Sequence, residues 1–478
     1  MKLKDNQFSI HWFRKDLRLN DNPSLNYLSK KKKNIVGIFI YDDVNCSREL
    51  GSASKVWLYN SLKNLNLKLE NRLILFKGDP LAIFDNILNK YNIDEICWNR
   101  CYEPWVITRD TKIKAKLKNK TKINSFNSSL LWEPWEILKQ DGTPYKIFTP
   151  FYKRGCLNYK PPRKPESSKV NFCEHNIKSM DLKDLIFTEK KDWEKNILLN
   201  WKTSEFEATR IKDQFFLKGI KDYSEGRNFP NRENVSRLSP YLHWGQISPN
   251  VLWYEIEEKV EEVSKDNIEI FKSELGWREF FYNLMYHYPS IREENLQPKF
   301  NIFPWEYNDF FLKSWQQGMT GYPIIDAGMR ELWHTGYMHN RVRMITGSFL
   351  VKNLLLHWHH GEKWFWDCLF DADYASNSAS WQWVAGTGTD SAPYFRIFNP
   401  ITQSKKFDPE GEYIKKFVPE LKTMPLKYLF EPWNCPETIL KDSGIIMGQT
   451  YPNPIVDVKQ SREKALSAFA KLKRVNVR

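Results

Sequence analysis

Four stretches of the 478-residue chain gather side chains whose types and spacing can do chemistry. The densest is 336–349, GYMHNRVRMITGSF. Read as a helix, it places Asn340, Arg343 and Met344 on one face, while Arg341, displaced by about 100° per residue, points elsewhere. One face would grip a ligand and the other a backbone. In 273–284, SELGWREFFYNL, spacings of three and four bring Glu274, Trp277 and Arg278 together. A carboxylate, a large ring and a guanidinium on one face are costly to bury as plain core, so the pattern favours a site. In 371–383, DADYASNSASWQW, a D-x-D pair, Asp371 and Asp373, precedes Asn377 and two tryptophans. D-x-D suits a divalent cation, and HWHH at 357–360 adds to that, which makes a metal-dependent nuclease or transferase a rival reading. Against it, HWHH reads as a helix end with solvated histidines, and Arg343 is available to pair with one aspartate. Finally, 223–239, YSEGRNFPNRENVSRLS, sets a tyrosine and arginines ahead of Ser236 and Ser239, which could cap a helix and offer hydroxyls and backbone N–H groups to a phosphate.

These residues need a scaffold, and the chain is long enough for two or three domains. β-rich runs at 8–13 (FSIHWF), 35–41 (IVGIFIY), 73–76 (LILF) and 93–98 (IDEICW) alternate with helix-length segments, so a parallel α/β sheet is expected over 1–130. No G-x-G-x-x-G follows the first run, and an ordinary dinucleotide fingerprint is absent. The span 131–204, containing YKPPRKPESSK, reads as a connector rather than a packed element. From 205 to 478 amphipathic helical patterns dominate, which predicts an all-helical domain.

Composition narrows the partners. A net charge of +14 raises the odds of a polyanion, with nucleic acid first. Twenty tryptophans are more than a core needs and suit stacking on flat rings. Seven scattered cysteines argue against a disulfide framework and for a reducing compartment. No apolar stretch is long enough to span a bilayer and no secretory signal is visible, so a cytoplasmic protein without a membrane partner is expected.

The motifs HWFRKDLRLNDNPSL, SRLSPYLHWG, TGYPIIDAGMREL, HNRVRM and WQWVAGTGTDSAPYFRIFNPITQSKKFDPEGEYIKKFVPEL stand in this order over nearly the whole chain. Together they resemble the photolyase/cryptochrome family, most of all the class I cyclobutane pyrimidine dimer photolyases. The resemblance implies a Rossmann-like α/β antenna domain, an all-helical domain holding FAD, and repair of UV-damaged DNA by a monomer. Carried over by position, Tyr223, Ser236, Arg237, Leu238 and Ser239 match the segment that holds the flavin nucleotide's phosphates, with Phe271 and Arg278 on the next helix. The family usually has Thr where Val235 stands, so one hydroxyl contact to phosphate is missing. Asn340, Arg343, Asp371, Asp373 and Asn377 match positions around the flavin ring. Arg343 with Asp371 resembles the ion pair beside it, and Asn377 the amide facing its N5. Glu274, Trp277, Asn340, Met344 and Trp383 resemble the dimer pocket, and Arg227, Arg341 and Arg396 the arginines on DNA phosphates.

By the same resemblance, photoexcited, fully reduced FAD passes an electron to the dimer and recovers it, a lyase reaction without net redox change. Trp381, Trp358 and Trp305 match a chain that re-reduces oxidised flavin. The resemblance includes an antenna chromophore, folate or deazaflavin. At 98–110, WNRCYEPWVITRD has Trp105 and Val106 where folate-binding relatives carry Asn-Glu, so a folate of that type is not expected. A cryptochrome photoreceptor is the nearest rival, but little follows the helical domain before Arg478. Six-four photolyases place histidine near the lesion, and Met344 stands here.

Overall fold

The computed structural model describes residues 3–185, 191–259 and 262–475. Its N-terminal part forms five parallel strands in the order β3-β2-β1-β4-β5. These are β1 (Leu3–Phe13), β2 (Ile35–Tyr41), β3 (Ile74–Lys77), β4 (Tyr91–Asn99) and β5 (Lys122–Phe126). Strands covered on both faces read as continuous apolar runs, and β2, buried from Ile35 to Ile40, shows this most plainly. Ile10 pairs with Val36 on one side and Ile96 on the other, and Trp12 with Trp98, which sets the centre of the core on β1. The helices α1 (Pro23–Lys30), α2 (Ser52–Lys68), α3 (Pro80–Lys90) and α4 (Pro104–Leu117) connect consecutive strands. Pro at the first position pre-sets φ for α1 and α3, and Asn22 and Asp79 accept the free N–H groups of Leu25 and Leu81.

Four strands lie where the apolar runs predict them. The fifth, KINSF, was not expected: it is a half-exposed edge with two large apolar residues, too few to stand out.

The span read as a connector is partly a packed element. Phe148–Pro150 leads into a π-helical turn, Phe151–Cys156, whose rings lie on the long helix α5 (Lys265–His287). Phe148 and Phe151 both meet Phe280, and a side chain on Gly276 would strike Tyr152. The long proline- and lysine-rich stretch that follows is without regular structure, as expected.

The chain divides into two compact units. One comprises Met1–Lys191, Trp201–Lys221 and Ser236–Pro289; the other comprises Asp192–Asn200, Asp222–Val235 and Ser290–Arg478. The division cuts through the span 205–478 expected as one domain, because α5 shares its packing with 148–156. The second unit is built from α6 (Asp309–Gln317), α7 (Pro323–Thr335), α8 (Asn340–Ser348), α9 (Trp358–Cys368), α10 (Tyr374–Ala385) and α11 (Val458–Val475), with shorter turns between them. All seven cysteines are free, and among the described residues no helix is long and apolar enough to cross a membrane.

Candidate functional site

The functional candidates fall into two groups, one in each unit. In the first unit, Arg237 adopts a left-handed backbone, φ 53°, just before a short helix Ser239–His243. Ser236 Oγ accepts the N–H of Leu238 at 3.3 Å, so it caps a turn. Ser239 lies inside the helix, and the capping position is taken by Leu238 without a side-chain bond, which corrects the expected cap at Ser239. Leu238 itself is buried, leaving only its backbone for any ligand. The exposed Arg237 guanidinium lies 5.9 Å from the Trp201 ring.

On α5 the spacing of three and four brings Glu274, Trp277 and Arg278 together, all half-buried. Trp277 stacks on Phe148 with centroids 3.9 Å apart and planes at 10°. Arg278 Nη1 donates to the Ser129 carbonyl at 2.5 Å and meets Glu279 at 3.3 Å. Much of its donor capacity is therefore committed to the fold. Glu279 accepts the N–H groups of Leu131 and Trp132, and burial pushes its carboxyl up to about 7. Phe271 is buried against Phe215 and Phe216 in an aromatic trio.

The second unit holds the tighter constellation. His339 Nδ1 accepts the Arg341 N–H and starts α8, so that Arg343 sits one turn in. Its two Nη groups donate to the two carboxylate oxygens of Asp371 at 3.0 and 2.9 Å, and Nε donates to the Met338 carbonyl at 2.7 Å. Burial works against the guanidinium charge, but the facing Asp371 overrides it and holds Arg343 protonated above its ordinary range. Asp373 N donates to Asp371 O at 2.7 Å, and Asp373 then caps α10 by accepting the Ser376 N–H at 2.8 Å. One turn on, Asn377 is 8% exposed. Its Nδ2 donates to the carbonyl and the carboxylate of Glu362 at 3.0 and 2.8 Å, which directs the amide and leaves Oδ1 as acceptor. Asp371 and Asp373 are therefore occupied, and among the described residues no cluster of His, Cys, Asp or Glu could hold a metal ion.

Asn340 is exposed at the start of α8, and Met344 and Trp383 are half-buried. Arg341 turns away from Arg343, as its position on the helix predicts: it donates to Asn228 Oδ1 and covers the Phe407 ring at 4.5 Å. Burial, and then the charge of Arg227, lower its pKa, so two guanidiniums are held close together. Arg227 itself covers the Tyr223 ring at 5.2 Å. Arg396 is exposed beside Phe395, and its carbonyl accepts from the buried Lys352 Nζ at 2.9 Å.

Of the three tryptophans, Trp381 and Trp358 are buried and Trp305 is half-buried. Trp381 abuts Phe365 and Trp315, and a Cβ on Gly361 would collide with its ring. The HWHH segment lies at a helix end, as expected, but its three histidines are half-buried rather than fully solvated. His357 Nδ1 accepts the His359 N–H and caps α9, and its ring lies 5.2 Å from Trp305 and 5.7 Å from Trp358. Burial, with the neighbouring His359 and His360, pushes His357 down to about 4, so the ring between the two tryptophans is neutral at pH 7. Sequence reasoning missed two positioning residues here, Glu362 and Asn228, and gave His357 another role; Glu362 and Asn377 stand fifteen residues apart on different helices, and Asn228 carries no signal of its own.

Two outcomes follow. Asp371→Asn leaves the Arg343 charge without its counterion, and a loss of roughly 3 kcal/mol is expected in urea unfolding. For His357, acidification from its ordinary 6.5 towards 4 costs stability, because the unfolded chain takes up a proton that the folded ring refuses. Replacing His357 by Asn, which keeps the cap acceptor, should flatten that part of the stability–pH curve.

Comparison with known proteins agrees with this geometry. Residues 9–168 match the family model described as DNA photolyase, and residues 271–471 the one described as FAD binding domain of DNA photolyase. A deoxyribodipyrimidine photo-lyase of Agrobacterium fabrum is 41% identical over 97% of this chain and 98% of its own length. Cryptochrome-1 of Arabidopsis thaliana is 33% identical over 97% of this chain and 70% of its own. A crystal structure of a bacterial class III photolyase from Agrobacterium tumefaciens superposes with a TM-score of 0.94 at 40% identity, covering 99% of both chains. The chain belongs to the photolyase/cryptochrome family, with an FAD-binding domain in its helical half.

Proposed function

We propose that this chain is a deoxyribodipyrimidine photo-lyase that splits cyclobutane pyrimidine dimers in DNA under light. The observation that carries the reading is the Arg343–Asp371 clamp with the oriented Asn377 amide one helical turn beyond Asp373. This donor set fits a flavin ring. Asn377 keeps a carbonyl oxygen that can accept from a protonated ring nitrogen, and the Asp371 carboxylate is matched by the Arg343 guanidinium, so that pair adds little net charge beside a group that changes its own. When bound and reduced, FAD supplies a light-released electron that opens the cyclobutane ring and is then returned.

The remaining roles are part of the same proposal. The hydroxyls and backbone of 236–239 suit phosphate groups, with Val235 contributing none. The charge of Arg227 is felt at Arg341, and a pair of guanidiniums suits a DNA phosphate and makes affinity fall with salt. Arg396 is exposed for the same purpose. A lesion inside the duplex must leave the stack to react, and a dimer is poorly stacked, so its extrusion costs least. Trp277 and Trp383 supply flat walls for the splayed bases, Met344 an apolar contact, and Glu274 and Asn340 hydrogen bonds to base edges. Trp381, Trp358 and Trp305 form the path that refills oxidised flavin.

Class I membership, expected from the motifs, gains no support from the comparisons. The likeness to a class III photolyase over 99% of both chains favours class III, which we adopt. An antenna pigment, a monomeric state and action on DNA inside the cell complete the reading. A photoreceptor role is the second reading, carried by the likeness to Cryptochrome-1.

Trp277→Ala is expected to weaken binding of a dimer-containing oligonucleotide by about 5- to 150-fold, the value of one stacked base, with a much smaller effect on undamaged DNA; competition binding measures this. In Trp381→Phe, photoreduction of oxidised FAD should slow strongly while repair by already reduced protein stays near normal. Equal loss of both would remove Trp381 from the refilling path.

A further inference from the structure

Beyond Ser348 the chain of α8 widens into a π-helical turn, Phe349–Asn353, and all five residues of that turn are buried. Wide turns of this kind recur at functional sites. One of the five is Lys352, 1% exposed. Among the described residues no carboxylate pairs with it, and the one charge acting on it is that of Arg396. Its Nζ donates to the Arg396 carbonyl at 2.9 Å and lies 5.6 Å from the centre of the Tyr394 ring.

Both partners belong to one tight segment. Arg396 N donates to Pro393 O at 2.8 Å and Ile397 N to Phe395 O at 3.0 Å, so 393–397 folds back on itself with Tyr394 inside and Phe395 and Arg396 exposed. Phe398 N donates to Ser348 Oγ at 3.4 Å, which ties the same segment to the end of α8 at a second point.

A buried cation that faces a carbonyl and a ring, with no counterion, is costly, and an apolar side chain of the same length would fill the space without that cost. Burial, and then the charge of Arg396, push Lys352 from the ordinary 10.5 down to about 7. Tyr394 is the other titratable group against it, and burial keeps its phenol protonated. The lysine therefore lowers the stability of the fold that contains it.

We propose that Lys352 is a positioning residue for DNA binding: its ammonium holds the 393–397 segment from inside and fixes the direction in which Arg396 leaves it. This rests on the reading of Arg396 as a phosphate contact. A charge-assisted hydrogen bond is about twice as strong as a neutral one, so the hold is firmest while Lys352 is protonated.

The test uses the full-length, FAD-loaded protein and an oligonucleotide containing one thymine dimer. Below pH 7, Lys352→Met is expected to weaken binding about threefold to tenfold with the flavin spectrum unchanged. Made in an Arg396→Ala background, the same substitution should have little further effect, because the two residues act through one contact. Wild-type affinity should fall between about pH 6 and 8, and Lys352→Met should flatten that part of the profile. Stability runs the other way. The unfolded chain keeps up to about 10.5 a proton that the folded lysine releases near 7, so between these values the wild type gains resistance to urea, relative to Lys352→Met, as pH rises. A lysine that merely supported the fold would lose stability on substitution and show no such opposition. Undiminished binding by Lys352→Met, where Arg396→Ala binds less tightly, overturns the positioning role and leaves the phosphate contact standing; an Arg396→Ala protein that binds as well as the wild type removes both. If Lys352→Met loses its flavin, the pH profiles decide: a fall in the wild type that is absent from Arg396→Ala supports the proposal, and identical profiles overturn it.

Discussion

The second unit is organised around one ion pair. Arg343 is half-buried in the helical packing, and both terminal nitrogens of its guanidinium meet the carboxylate of Asp371. Moving either partner would leave the other exposed to a low-dielectric interior, so the pair fixes the turn that ends in Asp373 against α8. Asp373 then starts α10, and the helix period sets Asn377, Trp381 and Trp383 at successive positions along it. The geometry proposed for the flavin ring, for the first tryptophan of the refilling path and for one wall of the lesion pocket therefore descends from one ion pair and one helix cap.

Around that centre, charge is distributed in a way that suits both tasks. The ring between Trp305 and Trp358 is held neutral by burial, so His357 places no fixed cation beside the path proposed for a positive hole. Towards Arg227 and Arg341 positive charge gathers: Arg227 covers the Tyr223 ring, Arg341 covers Phe407 and donates to Asn228, and the two guanidiniums together suit a polyanion.

Much of this was legible in the sequence. The apolar runs of β1 to β4 announced the sheet because strands buried on both faces cannot hide their composition, whereas β5, an edge with two large apolar residues, could. Helical spacing separated Arg343 from Arg341 correctly, and the availability of Arg343 for an aspartate predicted its pair with Asp371. What periodicity cannot carry is partnership across distant segments. Phe148 under Trp277, Ser129 on Arg278 and Asn228 on Arg341 join residues more than one hundred positions apart, and the first reassigns part of the supposed connector to the packed core. The histidines of HWHH stand at a helix end as read, but polarity alone could not show that His357 caps the helix while its ring packs against two indoles and stays half-buried.

The central claim is that the helical half holds a reduced flavin able to exchange an electron with a dimer. It is tested most directly by illuminating the purified, reduced protein with an oligonucleotide containing one thymine dimer and following the ultraviolet absorbance of intact thymine. The account requires recovery of that absorbance in the light, over many turnovers and without net consumption of reductant, and none in the dark. A protein that carries its FAD, is fully reduced and binds the oligonucleotide, yet returns no thymine absorbance under blue light, would contradict it and leave the photoreceptor reading in its place.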